Sequence, residues 1–139
     1  MGNKPHRILT AIILFALAAL LSSCQSFQDV KQKKQYSNLS QTFRQAILWS
    51  DFEYASEFLA DGYKKNEKVE PVYDEIKVTA FEEKRMVVDT EINTIEQVAE
   101  IRYYWVDRMV EKSITEHFIW EWDPEAKKWF LISGLPKFE

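Results

Sequence analysis

The spacing of apolar residues changes twice along the chain. Residues 8–21 are apolar at every position except Thr10. Between residues 38 and 60, apolar residues recur every three or four positions, which is typical of amphipathic helices. Beyond Pro71, apolar and polar residues alternate, which is typical of strands with one buried face. The pattern therefore predicts an apolar leader, then helices, then a sheet.

The helical region contains a predicted break. A first helix starts near Asn38, ends near Trp49 and buries one face, made of Leu39, Phe43, Ala46 and Ile47. Ser50 and Glu53 have the spacing of a capping box, in which the serine hydroxyl bonds the Glu53 amide and the Glu53 carboxylate reaches back. Trp49 and Tyr54 have the spacing of a hydrophobic staple.

A second helix is expected to follow this break. It starts at Asp51 and ends at Gly62, because glycine is the preferred residue just beyond a helix end. The residues on its buried face are Phe52, Ala55, Phe58 and Leu59.

The alternating region predicts an antiparallel meander. A strand begins near Ile76, a second covers residues 98–106, and a third covers residues 111–122. Residues 123–126 form a tight turn, and residues 128–133 return as the last strand. Helices followed by such a meander give an α+β fold, with N-terminal helices packed on a curved antiparallel sheet.

The apolar leader resembles a bacterial lipoprotein signal peptide. Lys4 and Arg7 precede the run, and the run is shorter than the roughly 20 residues that span a bilayer. Residues 21–24, Leu-Ser-Ser-Cys, resemble the lipobox, and Cys24 is the only cysteine of the chain. The resemblance implies removal of residues 1–23 and acylation of Cys24. Two or three acyl chains give a stable membrane anchor.

The lipobox resemblance predicts the domain organisation and the cellular location. Residues 1–23 are the signal peptide, 24–36 the lipidated cysteine and a polar tether, and 37–139 a single α+β domain. Lysines of the tether either contact anionic headgroups or simply remain solvated. Gln25 follows the cysteine, and in the enteric sorting rule this favours the periplasmic face of the outer membrane over the inner membrane.

Residues 36–138 resemble the nuclear transport factor 2-like superfamily, which includes SnoaL-like cyclases. The resemblance lies in the order of elements and in the phrases AILWSDFEYASEFL and WEWDPEAKKWFLISGLPKF. Within that superfamily the chain is similar to small lipoproteins of unassigned function. The resemblance implies a cone with a pocket between helices and concave sheet. Its expected lining is Phe43, Ile47, Trp105, Phe118 and Trp120.

Composition and motifs narrow the functional classes. The chain carries a formal net charge of −4, and removal of the basic leader makes it more acidic, which argues against nucleic acid as a partner. An acylated Cys24 excludes thiol chemistry. The sequence contains no HExxH motif, phosphate loop or metal-ligand spacing, so neither a cofactor nor a metal is predicted.

Two ionisable residues on the third strand are candidates for chemistry. His117 falls on the polar face and is interpreted as structural. Glu116 falls on the apolar face between Ile114 and Phe118, where burial without partners would raise its pKa and suit it to proton transfer. The alternatives for Glu116 are a role at the pocket rim, an ion pair, or exposure on a twisted strand.

The predicted function is a non-enzymatic binding or assembly module held at the membrane through Cys24. Its partner is a protein, a small apolar ligand or peptidoglycan. Four tryptophans either stack on a glycan or belong to the core. They are Trp105, Trp120, Trp122 and Trp129. The alternative is an isomerase, cyclase or hydrolase that uses the cone pocket.

Overall fold

The computed structural model describes residues 30–64 and 71–139. The chain divides into two compact units, Met1–Tyr36 and Ser37–Glu139. Helix α1 covers residues 30–48, α2 covers Phe52–Ser56 and α3 covers Asp61–Lys64. After a 3-10 turn at Pro71–Glu75, the strands are β1 at Ile76–Asp89, β2 at Thr94–Trp105, β3 at Glu111–Asp123 and β4 at Lys128–Leu131.

The strands form one antiparallel sheet in the order β1-β2-β3-β4, in which each strand pairs with its neighbours in sequence. The sheet is curved and does not close, and the predicted α+β class is confirmed. β1 contains two irregularities, one between Val78 and Ala80 and one between Glu83 and Arg85. Such bulges increase the local twist of a strand.

Aspartates build two of the hairpin turns. Asp89 Oδ1 accepts hydrogen bonds from the amides of Glu91 and Ile92, at 2.9 and 3.3 Å. Asp123 Oδ1 accepts from the two amides that follow Pro124, at 2.8 and 2.9 Å. This side-chain bonding of backbone amides is the reason why aspartate favours turns. The turn predicted at residues 123–126 is confirmed.

The core lies between α1 and the inner face of the sheet. Phe43 on α1 packs edge-to-face on Phe118 and Trp120 of β3, with ring centroids 5.1 and 5.2 Å apart. On β2 the buried residues alternate with polar ones, as Ile101 and Tyr103 do with Arg102. The predicted alternation in the strands is therefore confirmed.

The second helix is much shorter than predicted. It ends at Ser56, and Gly62 lies inside α3 instead of terminating α2. The cause is a tertiary contact, because residues 58–60 run beside β4. The Leu131 amide donates to the Phe58 carbonyl at 2.8 Å, and the Ala60 amide donates to the Leu131 carbonyl at 3.0 Å. Phe52, Ala55 and Leu59 are nevertheless buried as predicted.

The capping box predicted at Ser50 and Glu53 is wrong. The residue that caps α2 is Asp51, whose Oδ1 accepts a hydrogen bond from the Tyr54 amide at 3.0 Å. Ser50 has a left-handed backbone, with φ of 57°, and its hydroxyl accepts from the Val78 amide on β1 at 2.9 Å. The serine therefore joins the helices to the sheet.

The first helix starts earlier than the predicted Asn38, since residues 30–37 are already helical. The polar segment predicted as a tether is therefore helical over residues 30–36. The predicted signal peptide, Cys24 and the rest of the predicted tether lie outside the described residues. None of the helices among residues 30–64 is long and apolar enough to cross a membrane.

Candidate functional site

The structure brings four of the five predicted pocket residues together, but as core. Phe43, Ile47, Phe118 and Trp120 are each 0–1% exposed. Their side chains lie buried between α1 and the sheet. The fifth residue, Trp105, is half-buried at the far end of β2.

The end of the inner face near Trp105 is covered by residues 136–139. The Phe138 ring packs against Tyr103 and Phe52, with centroids 4.7 and 5.4 Å away. The Glu139 carbonyl oxygen accepts hydrogen bonds from the Tyr103 hydroxyl at 2.6 Å and Lys112 Nζ at 2.9 Å. The chain's own backbone thus covers this end of the inner face.

Glu116 is half-buried on the inner face, as its position in the strand predicts. Its Oε1 accepts a hydrogen bond from the Lys137 amide at 2.8 Å, so the carboxylate holds the covering segment. Burial raises the pKa of Glu116 above its usual value, and the bond from Lys137 offsets part of that rise. His117 lies on the opposite, exposed face, with Nδ1 2.8 Å from Glu96 Oε1.

Replacement of Glu116 by glutamine is expected to increase stability at neutral pH. A carboxyl whose folded-state pKa is raised contributes stability while it is protonated, and that contribution is lost as pH rises through the folded-state pKa. Glu116→Gln keeps an oxygen for the Lys137 amide without the charge. Urea unfolding should show the variant more stable at pH 7, with the difference shrinking towards pH 4.

Glu121→Gln, on the exposed face of the same strand, controls for the loss of one negative charge. If Glu116→Gln is instead less stable at pH 7, the charge-assisted bond to Lys137 outweighs the cost of burial.

The four tryptophans do not form a shared stacking surface. Trp120 and Trp129 are 0% and 5% exposed, and Trp129 packs on Trp122 with centroids 5.6 Å apart. The strongly exposed tryptophan is Trp49, at 75%. The spacing of Trp49 and Tyr54 predicts a hydrophobic staple, but Tyr54 is itself 43% exposed.

Trp49 and Tyr54 line an open groove along the outside of α1. The groove has a volume of about 730 Å³, within the size range of small-ligand sites. Its other lining residues are Asn38, Gln41, Thr42, Arg44, Gln45 and Ala46. We call these eight residues the helix groove.

The helix groove is built by helical periodicity. Asn38, Gln41, Gln45 and Trp49 follow one another at spacings of three or four residues, which places them in one stripe. At 1.5 Å per residue the stripe is about 16 Å long. The Trp49 amide still donates to the Gln45 carbonyl at 3.0 Å, so the helical bonding extends to the exposed ring.

The helix groove contains three neutral amide side chains, those of Asn38, Gln41 and Gln45. Arg44 brings the one cationic side chain, and its Nε and Nη2 donate to the Phe81 carbonyl at 3.3 and 3.2 Å. The Thr42 hydroxyl donates to the Asn38 carbonyl at 2.9 Å. Amides both donate and accept hydrogen bonds, so the stripe offers paired polar contacts beside an aromatic ring.

Sequence reasoning missed this groove although its signal was present. Asn38, Gln41 and Gln45 lie on the face of α1 opposite the buried stripe, and a polar face is the normal outside of a helix. The unusual feature is a tryptophan at the end of that face.

Residues 30–64 and 71–139 contain no group of three or more histidine, aspartate or glutamate side chains placed to hold a metal ion. The chain matches no protein-family model, no curated protein and no solved structure. The helix groove and the lipobox-like residues 21–24 are therefore the features that bear on function.

Proposed function

We propose that the protein is a lipid-anchored, periplasm-facing lipoprotein whose domain is a non-enzymatic glycan-binding module. The anchor rests on the lipobox-like residues 21–24, in which Cys24 supplies the sulfur that carries the lipid. Gln25 after the cysteine favours the outer membrane.

Within this proposal the domain is a nuclear transport factor 2-like cone whose interior is filled. The order of helices and a curved antiparallel sheet supports that assignment. Glu116 bonds the Lys137 amide and Phe138 packs on Tyr103, so the inner face is occupied by residues of the chain itself. This favours binding at the outer surface over chemistry in the cone.

The observation that carries the proposal is the exposed Trp49 at the end of the amide stripe. An indole ring has a flat apolar face that suits the C–H surface of a sugar, and side-chain amides suit its hydroxyl and acetamido groups. A groove with little charge favours such a ligand over phosphates or strongly acidic partners. In the periplasm, peptidoglycan is the glycan with this chemistry.

Trp49→Ala is expected to reduce binding to purified peptidoglycan about tenfold or more. Buried tryptophans at binding sites commonly contribute about 2 kcal/mol or more, which corresponds to such a factor. The full chain, extracted from membranes in mild detergent, is sedimented with insoluble sacculi and the bound fraction is measured.

Met109→Ala is the matched control, because Met109 is 72% exposed but lies in the loop between β2 and β3, outside the helix groove. It should bind as the unsubstituted chain does. Equal binding by Trp49→Ala and the unsubstituted chain would show that the helix groove is not the glycan site.

A further inference from the structure

The fold covers the two edges of the sheet unequally. The β4 edge pairs with residues 58–60 through Leu131. The first half of the β1 edge is covered by the helical segment, because Ser50 bonds the Val78 amide and Arg44 bonds the Phe81 carbonyl. These contacts satisfy backbone groups that an edge strand otherwise leaves open.

Among residues 30–64 and 71–139, nothing gives such cover to the second half of β1. Residues 82–89 are all exposed, and within the described parts of the chain no hydrogen bond from outside the sheet reaches their backbone. Three consecutive apolar residues occur here, Met86, Val87 and Val88, and they are 48%, 44% and 45% exposed. A long edge with exposed apolar side chains is a template for pairing with another strand.

We propose that residues 85–89 pair antiparallel with the same residues of a second copy of the chain, centred on Val87. In this two-fold arrangement Arg85 stands opposite Asp89 of the other copy, and the pair occurs twice. Val87 meets Val87, and Met86 meets Val88. Opposite charges and apolar pairs at facing positions both stabilise a strand pair.

The side-chain faces restrict the register. Val88 and Met86 stand beside the buried Ile95 and Gln97 and so lie on the inner face, whereas Val87 stands beside Glu96 on the outer face. When two copies pair around a two-fold axis, the inner face of one sheet continues into the inner face of the other only if facing residues lie on the same face. A register shifted by one residue would place inner-face residues opposite outer-face residues, so it is excluded. Centring on Met86 or Val88 instead would lose the match between Arg85 and Asp89.

Arg85 remains available for this pairing. Its Nη2 lies 3.6 Å from Glu96 Oε2 within the chain, and both side chains are substantially exposed. Exposed ion pairs of this kind contribute little to stability. The pairing uses no residue of the helix groove, so its test is independent of glycan binding.

Cysteine crosslinking in native membranes tests the register directly. Facing Cα atoms in an antiparallel pair lie about 4.5–5.5 Å apart, within the range that a disulfide spans. After treatment with a mild thiol oxidant, the full chain carrying Val87→Cys should give at least about ten times more covalent dimer than Met109→Cys. Met109 is 72% exposed and lies in the loop between β2 and β3. The unsubstituted chain, in which the sulfur of Cys24 is proposed to carry the lipid, gives the background without an added thiol.

Charge reversal tests the predicted partners. In the Val87→Cys chain, Arg85→Asp should reduce the crosslinked fraction about tenfold, equivalent to about 1.4 kcal/mol. The reversal places two carboxylates opposite each other. Arg85→Lys keeps the opposite charges and should crosslink as the Val87→Cys chain does. Asp89 is left unchanged, because its Oδ1 accepts the turn amides of Glu91 and Ile92.

Equal crosslinking at positions 87 and 109, or equal crosslinking by the Arg85→Asp and Arg85→Lys variants, would overturn the pairing. Sedimentation of the unsubstituted full chain in detergent provides a measurement that depends on no substitution. A dimer fraction that rises with protein concentration supports the pairing, and a monomer at every concentration tested overturns it.

Discussion

Trp120→Ala should lower the free energy of unfolding by about 3–5 kcal/mol, a large part of the roughly 5–15 kcal/mol that stabilises a domain. Trp120 is fully buried, and its ring packs edge-to-face on Phe43 and Phe58, with centroids 5.2 and 6.4 Å away. Truncation leaves a cavity beneath α1 that neighbouring side chains cannot fill. Urea unfolding followed by far-ultraviolet circular dichroism measures the loss.

Trp49→Ala provides a matched control for this prediction, because it removes the same side chain from an exposed position. Exposed substitutions usually change stability by less than about 0.5 kcal/mol. If Trp120→Ala does not fold, Trp120→Phe retains much of the buried area and should fold with a smaller loss. An unfolding midpoint of Trp120→Ala equal to that of Trp49→Ala would contradict the packing of Trp120 in the core.

Cys24→Ala should abolish lipid attachment. No other cysteine occurs in the chain, so no other side chain can carry a thioether-linked lipid. Two or three acyl chains hold a protein stably on a membrane, whereas a single chain holds it only marginally. The variant should incorporate no labelled palmitate, and mass spectrometry should find no amino terminus at position 24.

Ser23→Ala is the control for Cys24→Ala, since the lipobox resemblance asks only for a small residue before the cysteine. It should still be lipidated. Incorporation of label by Cys24→Ala, or a mature amino terminus elsewhere than residue 24 in the unsubstituted chain, would refute the lipoprotein proposal.

The strands were predictable where each face of a strand has one environment, which does not hold for residues 82–89 of β1, exposed on both faces. On β3 the apolar face made of Ile114, Phe118 and Trp120 packs inward, and His117 points to solvent, as the alternation indicates. Alternation of apolar and polar residues shows directly which side chains of a strand are buried. Packing against the core therefore agrees with the pattern in the sequence. The same reasoning placed Glu116 on the inner face.

The helix boundaries were not predictable because distant residues decide them. Serine is a common residue at helix N-caps, but the Ser50 hydroxyl accepts a hydrogen bond from the Val78 amide, 28 positions away in the chain. Asp51 takes the cap instead. The end of α2 is likewise decided by Leu131, which pairs with the backbone on either side of Leu59. A local pattern contains neither contact.

The predicted pocket residues converge only as core, and the helix groove was not predicted, for a similar reason. The residues expected to line a pocket do converge, but periodicity cannot distinguish a side chain that lines a cavity from one that fills it. The path of residues 136–139 over Tyr103 and Glu116 was also hidden, although Leu135, Pro136 and Phe138 are apolar residues that follow the last strand.

The pairing of Leu131 with residues 58–60 has a consequence for the order of folding. The three hairpins join neighbouring strands and can form from local contacts, which are fast. Joining the helical segment to β4 closes a loop of about 70 residues, whose entropic cost must be overcome before the core is sealed. A chain emerging from its amino end therefore keeps Phe58 and Leu59 without their strand partner until Leu131 is available. Late closure of this kind delays compaction of the domain.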